Sequence, residues 1–390
     1  MIVLNEVIRD GRVLRAAEAL RDWYDLTVLG VDRGHFDFDP AEQRCRLGLN
    51  LEWVPLRWSG RLARNQAGYA ARYLEAFVGL LRRCRQLRPT VIHAHDNTAL
   101  PVAMAARAAV RCKVVYDAHE LYRDQVSTQP LSWARPIHLI ETWAMRHCAG
   151  IIACNKYRAA IMRREYGAPF TPTVIRNVPP FHPYRPSSLL VDYARRQNRA
   201  VRRIVLYQGG VGQGRSLDLL VRALPLLAAD VAVVLIGPGK EEYKQQLTAL
   251  AAELGVPDRL FIHPPVDHTD LPEYTCSAHV GVVIYRNISR NHYYCAPNKL
   301  YEYAAAGLPA AGADLPPIRD FLEEFGTGET FDPWSAESLA QTIQRLLSDP
   351  QDFERYRRNS LAAARIMCWQ NESKRLVDLY DRILTDSTVR

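Results

Sequence analysis

Lys299 and Glu302 stand three residues apart in the stretch A-P-N-K-L-Y-E-Y-A-A-A-G-L-P, from Ala296 to Pro309. If this stretch is helical, that spacing puts both on one face near the helix start, where Pro297 is well suited. Gly307 and Pro309 then end it. A lysine and free N–H groups at a helix start can neutralise phosphate oxygens, while a carboxylate accepts from ribose hydroxyls. The same pair also reads as an i,i+3 ion pair on an ordinary amphipathic helix. A second stretch, Y-Q-G-G-V-G-Q-G-R-S (207–216), carries Gly209, Gly210, Gly212 and Gly214, which let the backbone approach a phosphate, and Arg215, which adds a cation. It departs from G-x-G-x-x-G because Arg215 holds the sixth position, and from the Walker A loop because Arg215 replaces its lysine. A glycine-rich turn with no ligand is the plain alternative.

Titratable side chains gather twice in the first half. V-I-H-A-H-D-N (91–97) and V-V-Y-D-A-H-E-L-Y (114–122) each start as an apolar run and end in polar residues. His95, Asp96, Asp117, His119 and Glu120 therefore fall at strand ends, where groups that exchange protons and hydrogen bonds make an active-site edge. His93 lies within its run and reads as a core histidine. Two histidines at i,i+2 in an extended segment point the same way, so a zinc site with His119 is a competing reading, although no Cys or His spacing completes the set. D-F-D at 37–39 has the form of a metal-binding D-x-D but precedes Pro40 and reads as turn chemistry. No G-x-S-x-G nucleophile turn is present.

These residues need a frame to hold them. Apolar, β-branched runs at Ile2–Leu4, Leu26–Val31, Leu51–Val54, Thr90–His93, Lys113–Tyr116, Gly150–Ala153 and Thr173–Ile175 alternate with helical patterns. The helices are expected at Val13–Leu20, Asn65–Cys84, Ala99–Ala109, Ile137–His147 and Tyr157–Tyr166. That alternation predicts an α/β domain with a parallel sheet, whose ligands bind at the carboxyl ends of its strands. A Pro-rich segment, V-P-P-F-H-P-Y-R-P, follows Arg176-Asn177, and the pattern restarts at Ile204. Strands Ile204–Tyr207, Val231–Ile236, Leu260–Ile262 and Val280–Ile284 come with helices Leu217–Ala228 and Glu241–Leu254, and after Pro309 only helices are expected. The organisation expected is a first domain 1–177, a linker 178–200, a second domain 201–368 and a terminal helix 369–390 returning to the first, with a cleft between the domains.

Composition agrees with this frame. At 390 residues, with 48% apolar and 24% charged, the chain is sized for two or three globular domains. No apolar run reaches membrane-spanning length, no signal peptide is read at Met1, and eight scattered cysteines without a CxxC pair read as reduced thiols, so a cytoplasmic location is expected. The net charge of +8 comes almost wholly from positions 57–88, where eight arginines face one acid, Glu75. There Ala67, Ala70, Ala71, Leu74, Phe77, Val78 and Leu81 form an apolar stripe at helical spacing. The region reads either as the solvated side of a core-packed helix or as a docking surface for an anionic membrane or acceptor. No nucleic-acid-binding motif accompanies the arginines.

Taken jointly, the motifs resemble the GT-B retaining glycosyltransferases of family four (group 1), in the branch with P-N-K-x-x-E. P-N-K-L-Y-E-Y-A-A-A-G-L-P resembles its nucleotide-sugar motif, and Y-Q-G-G-V-G-Q-G-R-S-L-D-L-L its donor-phosphate loop. D-G-R-V-L-R-A-A-E-A-L (10–20), Y-D-A-H-E and I-R-N are similar to its first half. The resemblance implies two Rossmann-like domains and a metal-independent, cofactor-free transfer of a sugar, with retention, from a UDP- or GDP-linked donor to a glycan or lipid-linked acceptor. It implies that Glu302 binds the donor ribose, that Arg215 and Lys299 neutralise the diphosphate, and that His119 meets the transferring sugar. Gly209, Gly210, Gly212, Gly214, Asn298 and Leu300 would line the donor, and Arg12, His95, Asp96, Asp117 and Glu120 the acceptor side. One family glutamate is replaced by Tyr294, and Gly210 stands where the phosphate loop would carry an arginine. A nucleotide-sugar epimerase, a non-catalytic nucleotide-sugar-binding protein and a P-loop nucleotidase are the alternatives.

Overall fold

The computed structural model describes residues 1–34, 38–59, 65–125 and 131–385. Asp37 of the D-F-D stretch, Arg61 and Arg64 lie outside them. The chain forms two compact units, Met1–Asn177 with Glu372–Arg390, and Val178–Asn371.

The first unit is built on β1 (Thr27–Asp32), β2 (Asn50–Pro55), β3 (Val91–His95), β4 (Lys113–Ala118), β5 (Gly150–Ala153) and β6 (Thr173–Val174). β2 pairs with β1, and β3 through β6 pair in sequence, all parallel. The segment Met1–Val3 joins the two sets. Ile2 N–H donates to His93 O at 2.8 Å, His95 N–H to Ile2 O at 3.0 Å, and Leu29 N–H to Met1 O at 2.8 Å. The strand expected at Ile2–Leu4 is thus a short bridging segment between β1 and β3. β3, β4 and β5 are buried almost throughout, as strands covered by helices on both faces must be. Asp10, Asn65 and Asn155 cap the helices that follow them, each accepting from a backbone N–H three residues on.

The helix Gln66–Leu87 corrects the sequence reading. Its buried residues are Gly68, Ala76, Leu80 and Cys84, whereas Leu74 and Val78 of the expected apolar stripe are exposed. Close packing explains this inversion. A Cβ at Gly79 would lie 2.2 Å from Val54 Cγ1 on β2, so the helix approaches β2 too closely there for any larger side chain. The final helix, Trp369–Thr385, packs on the first unit from Glu372 onward. Glu372 accepts from Arg176 N–H at 2.8 Å and from Arg176 Nη1 at 2.9 Å, and Lys113 Nζ donates to Ile383 O at 2.6 Å.

The second unit has β7 (Arg203–Gln208), β8 (Val231–Ile236), β9 (Leu260–His263), β10 (Val280–Val283), β11 (Ala310–Ala313) and β12 (Gly328–Phe331). All pair in parallel in the order β12-β11-β10-β7-β8-β9. β11 and β12 were not expected, since A-A-G-A has no β-branched residue and G-E-T-F only Thr330. Contact selects those residues instead: a Cβ at Gly312 would lie 2.4 Å from Ile318 Cγ2, and one at Gly328 2.0 Å from Ala310 O. The stretch read as a linker contains a helix, Leu189–Gln197, whose Leu190, Val191 and Ala194 join the core of this unit. Among the described residues no helix is long and apolar enough to cross a membrane.

Candidate functional site

The strand order of the second unit reverses at β7 and β10, which places its ligand crevice at their carboxyl ends. β7 ends in Gln208, and the glycine loop follows. The helix Asn298–Ala305 starts directly after Pro297 and packs on β10, where a Cβ at Gly281 would meet the Tyr303 ring at 2.4 Å. Tyr303 is wholly buried, and its hydroxyl reaches the carbonyls of Leu206 (3.2 Å) and Val282 (3.3 Å). The helix is thereby pinned to both central strands, and its register is fixed.

That register brings Glu302 to the end of β7. Gln208 Nε2 donates to Glu302 Oε2 at 2.5 Å, and Thr275 Oγ1 donates to Gln208 Oε1 at 2.8 Å. Gln208 and Thr275 thus orient the carboxylate, and neither was singled out in the sequence. The available signal was a polar residue closing the apolar run R-I-V-L-Y-Q. Lys299 lies along the loop: its Nζ is 5.0 Å from the Tyr207 ring centroid, and a Cβ at Gly209 would sit 2.9 Å from its Cε. Gly209 has φ +123°, and its carbonyl is so close to Gly237 that a Cβ there would lie 2.0 Å away. Gly210, Gly212 and Gly214 differ, since a Cβ at each would meet nothing within 4 Å.

Burial, followed by the nearby Arg215 charge, pushes the Lys299 ammonium down to about 8. Arg215 is exposed at the loop's end, and among the described residues neither cation makes an ion pair. Two cations beside one another disfavour each other's charge, and an anion placed between them relieves that cost. Asn298 is exposed at the first helical position. Leu300 turns its side chain into the core and gives its N–H to Pro297 O at 3.2 Å, so its contribution is packing.

In the first unit, strand alternation gathers the titratable groups. His93 and His95 are two apart on β3, Asp117 stands opposite His95 in register, and His119 follows two residues later. All four share one face. Arg12 closes on Asp117 with two hydrogen bonds, Nε to Oδ2 at 2.8 Å and Nη2 to Oδ1 at 2.6 Å, and both groups are buried. Burial would raise the Asp117 carboxyl, but Arg12 and then His119 outweigh it and hold it well below the usual range.

His119 Nδ1 lies 3.3 Å from Asp96 Oδ1, and its Nε2 3.5 Å from Asp117 Oδ2. Burial opposes charge on this ring, yet Asp117 and Asp96 prevail and raise its pKa. Asp96, in the left-handed region at φ +67°, is pushed up to about 6 by burial. His95 Nδ1 is 3.4 Å from His119 Nε2, and burial keeps His95 well below its ordinary value. His93 stacks on His95 at 4.2 Å and places Nδ1 3.0 Å from the Tyr380 hydroxyl of the final helix. Glu120 accepts from Arg158 Nη2 at 2.7 Å. The structure therefore brings Arg12, His95, Asp96, Asp117 and His119 together, with Glu120 beside them on Arg158.

His93, His95 and Asp117 offer ligand atoms within 4.8 Å of one another, a set suited in type to a divalent cation. The fit is poor, because Arg12 already occupies both Asp117 oxygens with a positive charge.

Two family descriptions match the chain in tandem: "Glycosyl transferase 4-like domain" over residues 11–178 and "Glycosyl transferases group 1" over residues 194–363. The chain thus has the two-domain make-up of the GT-B glycosyltransferases. It is 27% identical over 241 residues to the D-inositol 3-phosphate glycosyltransferase of Xylanimonas cellulosilytica, covering 59% of this chain and 56% of that one. The chain spans 56% of the length of that relative and 65% of the length of the D-inositol 3-phosphate glycosyltransferase of Salinispora tropica, to which it is 26% identical. Its fold is that of Anabaena Alr3699/HepE, solved with UDP and glucose, at a TM-score of 0.77 and 16% identity over 98% of both chains. Sucrose-phosphate synthase from Thermosynechococcus elongatus has a TM-score of 0.75 at 17% identity, over 96% of this chain and 92% of that one.

Proposed function

We propose that the protein transfers a sugar from a nucleotide sugar to an acceptor hydroxyl, with retention of configuration and without a metal. The observation that carries this reading is Glu302, oriented by Gln208 at the switch point of the second unit beside the Arg215 and Lys299 cations. A carboxylate held this way suits ribose hydroxyls, and the two cations suit a diphosphate. The Anabaena neighbour was solved with UDP and with UDP-glucose, which favours a UDP-linked donor.

In the transfer, the acceptor oxygen forms a bond to the anomeric carbon as the bond from that carbon to the diphosphate breaks. The acceptor proton passes to the departing phosphate oxygen. Arg215, Lys299 and the helix start at Asn298 stabilise the charge that builds there, a contribution of the kind that dominates many enzymes. No protein nucleophile is required. Arg12, His95, Asp96, Asp117 and Glu120 belong to the acceptor side, with His119 at the reacting sugar. Both ring nitrogens of His119 face carboxylates, which favours its charged form and argues against a role as base. The acceptor is a glycan, a lipid-linked sugar or a phosphorylated polyol like that in the relative's name.

Incubation with UDP-glucose in EDTA, with and without an acceptor panel, tests this reading by NMR of the products. An acceptor-dependent α-glycoside is expected. An isomerised donor formed without acceptor would make the protein an epimerase, and binding without turnover a nucleotide-sugar-binding protein.

A further inference from the structure

The helix Gln66–Leu87 turns Gly68, Ala76, Leu80 and Cys84 inward, and its Leu74 and Val78 face solvent. Leu74 is 57% exposed and Val78 58%, on a helix whose inner side is already packed against β2. Trp58, 56% exposed, is held beside them by Glu75. The Glu75 carboxylate accepts from the N–H groups of Arg57 (2.8 Å), Trp58 (3.3 Å) and Ser59 (2.9 Å) and from Ser59 Oγ (2.5 Å). The one acid of the region is thus spent on fixing an exposed tryptophan against the helix.

The remaining charge on this face is positive. Arg57, Arg82, Arg85 and Arg88 are exposed. Arg83 is consumed by two hydrogen bonds to Glu52 at 2.6 and 2.7 Å. Val78, Leu81, Arg82, Arg85 and Gln86 line a shallow groove in which alkyl and guanidinium groups alternate.

We propose that this face seats the protein on an anionic lipid surface, with Trp58, Leu74 and Val78 entering the headgroup–acyl boundary and the arginines meeting lipid phosphates. Aromatic and aliphatic side chains ringed by arginine are the chemistry of a membrane interface. A second copy of the chain is a poor occupant, since a two-fold contact would bring the arginines against one another. The inference is independent of the sugar-transfer reading, and its readout is binding, not activity.

The test is co-sedimentation of the full chain with vesicles of phosphatidylcholine, with and without phosphatidylglycerol. Partitioning onto the anionic vesicles should be stronger by about tenfold or more and should weaken with salt. Arg82→Glu/Arg85→Glu and Leu74→Glu/Val78→Glu, all at exposed positions, should each lower it about tenfold while leaving the thermal unfolding profile and UDP affinity unchanged. Equal binding to both vesicles, or wild-type binding by both variants, overturns the proposal. So does a dimer in solution that Leu74→Glu/Val78→Glu splits, which would assign the face to self-association.

Discussion

The two units present polar residues at the carboxyl ends of parallel strands, yet their charge balance differs. In the first, the basic groups of the strand-end cluster face carboxylates: Arg12 has Asp117, His119 has Asp96, and Arg158 has Glu120. In the second, Arg215 and Lys299 adjoin one carboxylate, Glu302, that is already held by Gln208. The first cluster is electrostatically complete and asks for a ligand that hydrogen-bonds. The second has surplus positive charge and asks for an anion. A hydroxyl-bearing acceptor and a nucleoside diphosphate donor fit that division.

Breaking the first balance should have the largest effect. Asp117→Leu leaves the Arg12 guanidinium buried without its counter-charge and should destabilise the first unit by roughly 3–5 kcal/mol, read in urea unfolding. Replacing both members with apolar residues should cost less than the single change.

The second balance is tested through rate and pH. Lys299→Ala should lower transfer by about 10²–10³, measured as kcat with UDP-glucose. Because the free lysine titrates near 8, its cation is present below that pH and lost above it. Diphosphate affinity should therefore fall as pH climbs past 8, and Lys299→Met should remove that dependence.

A smaller effect sharpens the view of the first unit, where Glu141 is buried and, among the described residues, makes no ion pair. Glu141 accepts from the Tyr116 hydroxyl at 2.7 Å, and burial pushes its carboxyl up to about 7. An acid whose pKa rises on folding contributes stability that is present at low pH and lost as pH rises from its unfolded value toward 7. The first unit should thus weaken over that range by roughly 1–3 kcal/mol, and Glu141→Gln should abolish the slope and be the more stable form at pH 8.

Much of this arrangement was legible in the sequence because it is local. Apolar runs ending in H-A-H-D, D-A-H-E and Y-Q-G-G mark strand ends, and the Lys299–Glu302 spacing marks a helix face. What escaped is set by contact. Arg12 and Asp117 are 105 positions apart, and no spacing rule pairs them. Gln208 became important only once Tyr303 fixed the helix that carries Glu302. The helix Gln66–Leu87 inverted its expected face because Gly79 meets Val54, a fact of packing that periodicity does not record. β11 and β12 were hidden because the close approach of their neighbours demands glycine at 312 and 328, which weakens a strand signal.

Calorimetric titration with UDP in EDTA tests the central claim most directly, using wild type, Gln208→Leu and Glu302→Ala. Wild type should bind in the micromolar range, with about tenfold weaker binding once Gln208 no longer orients the carboxylate and a larger loss with Glu302→Ala. Binding that needs Mg²⁺ and ignores both substitutions would contradict that claim.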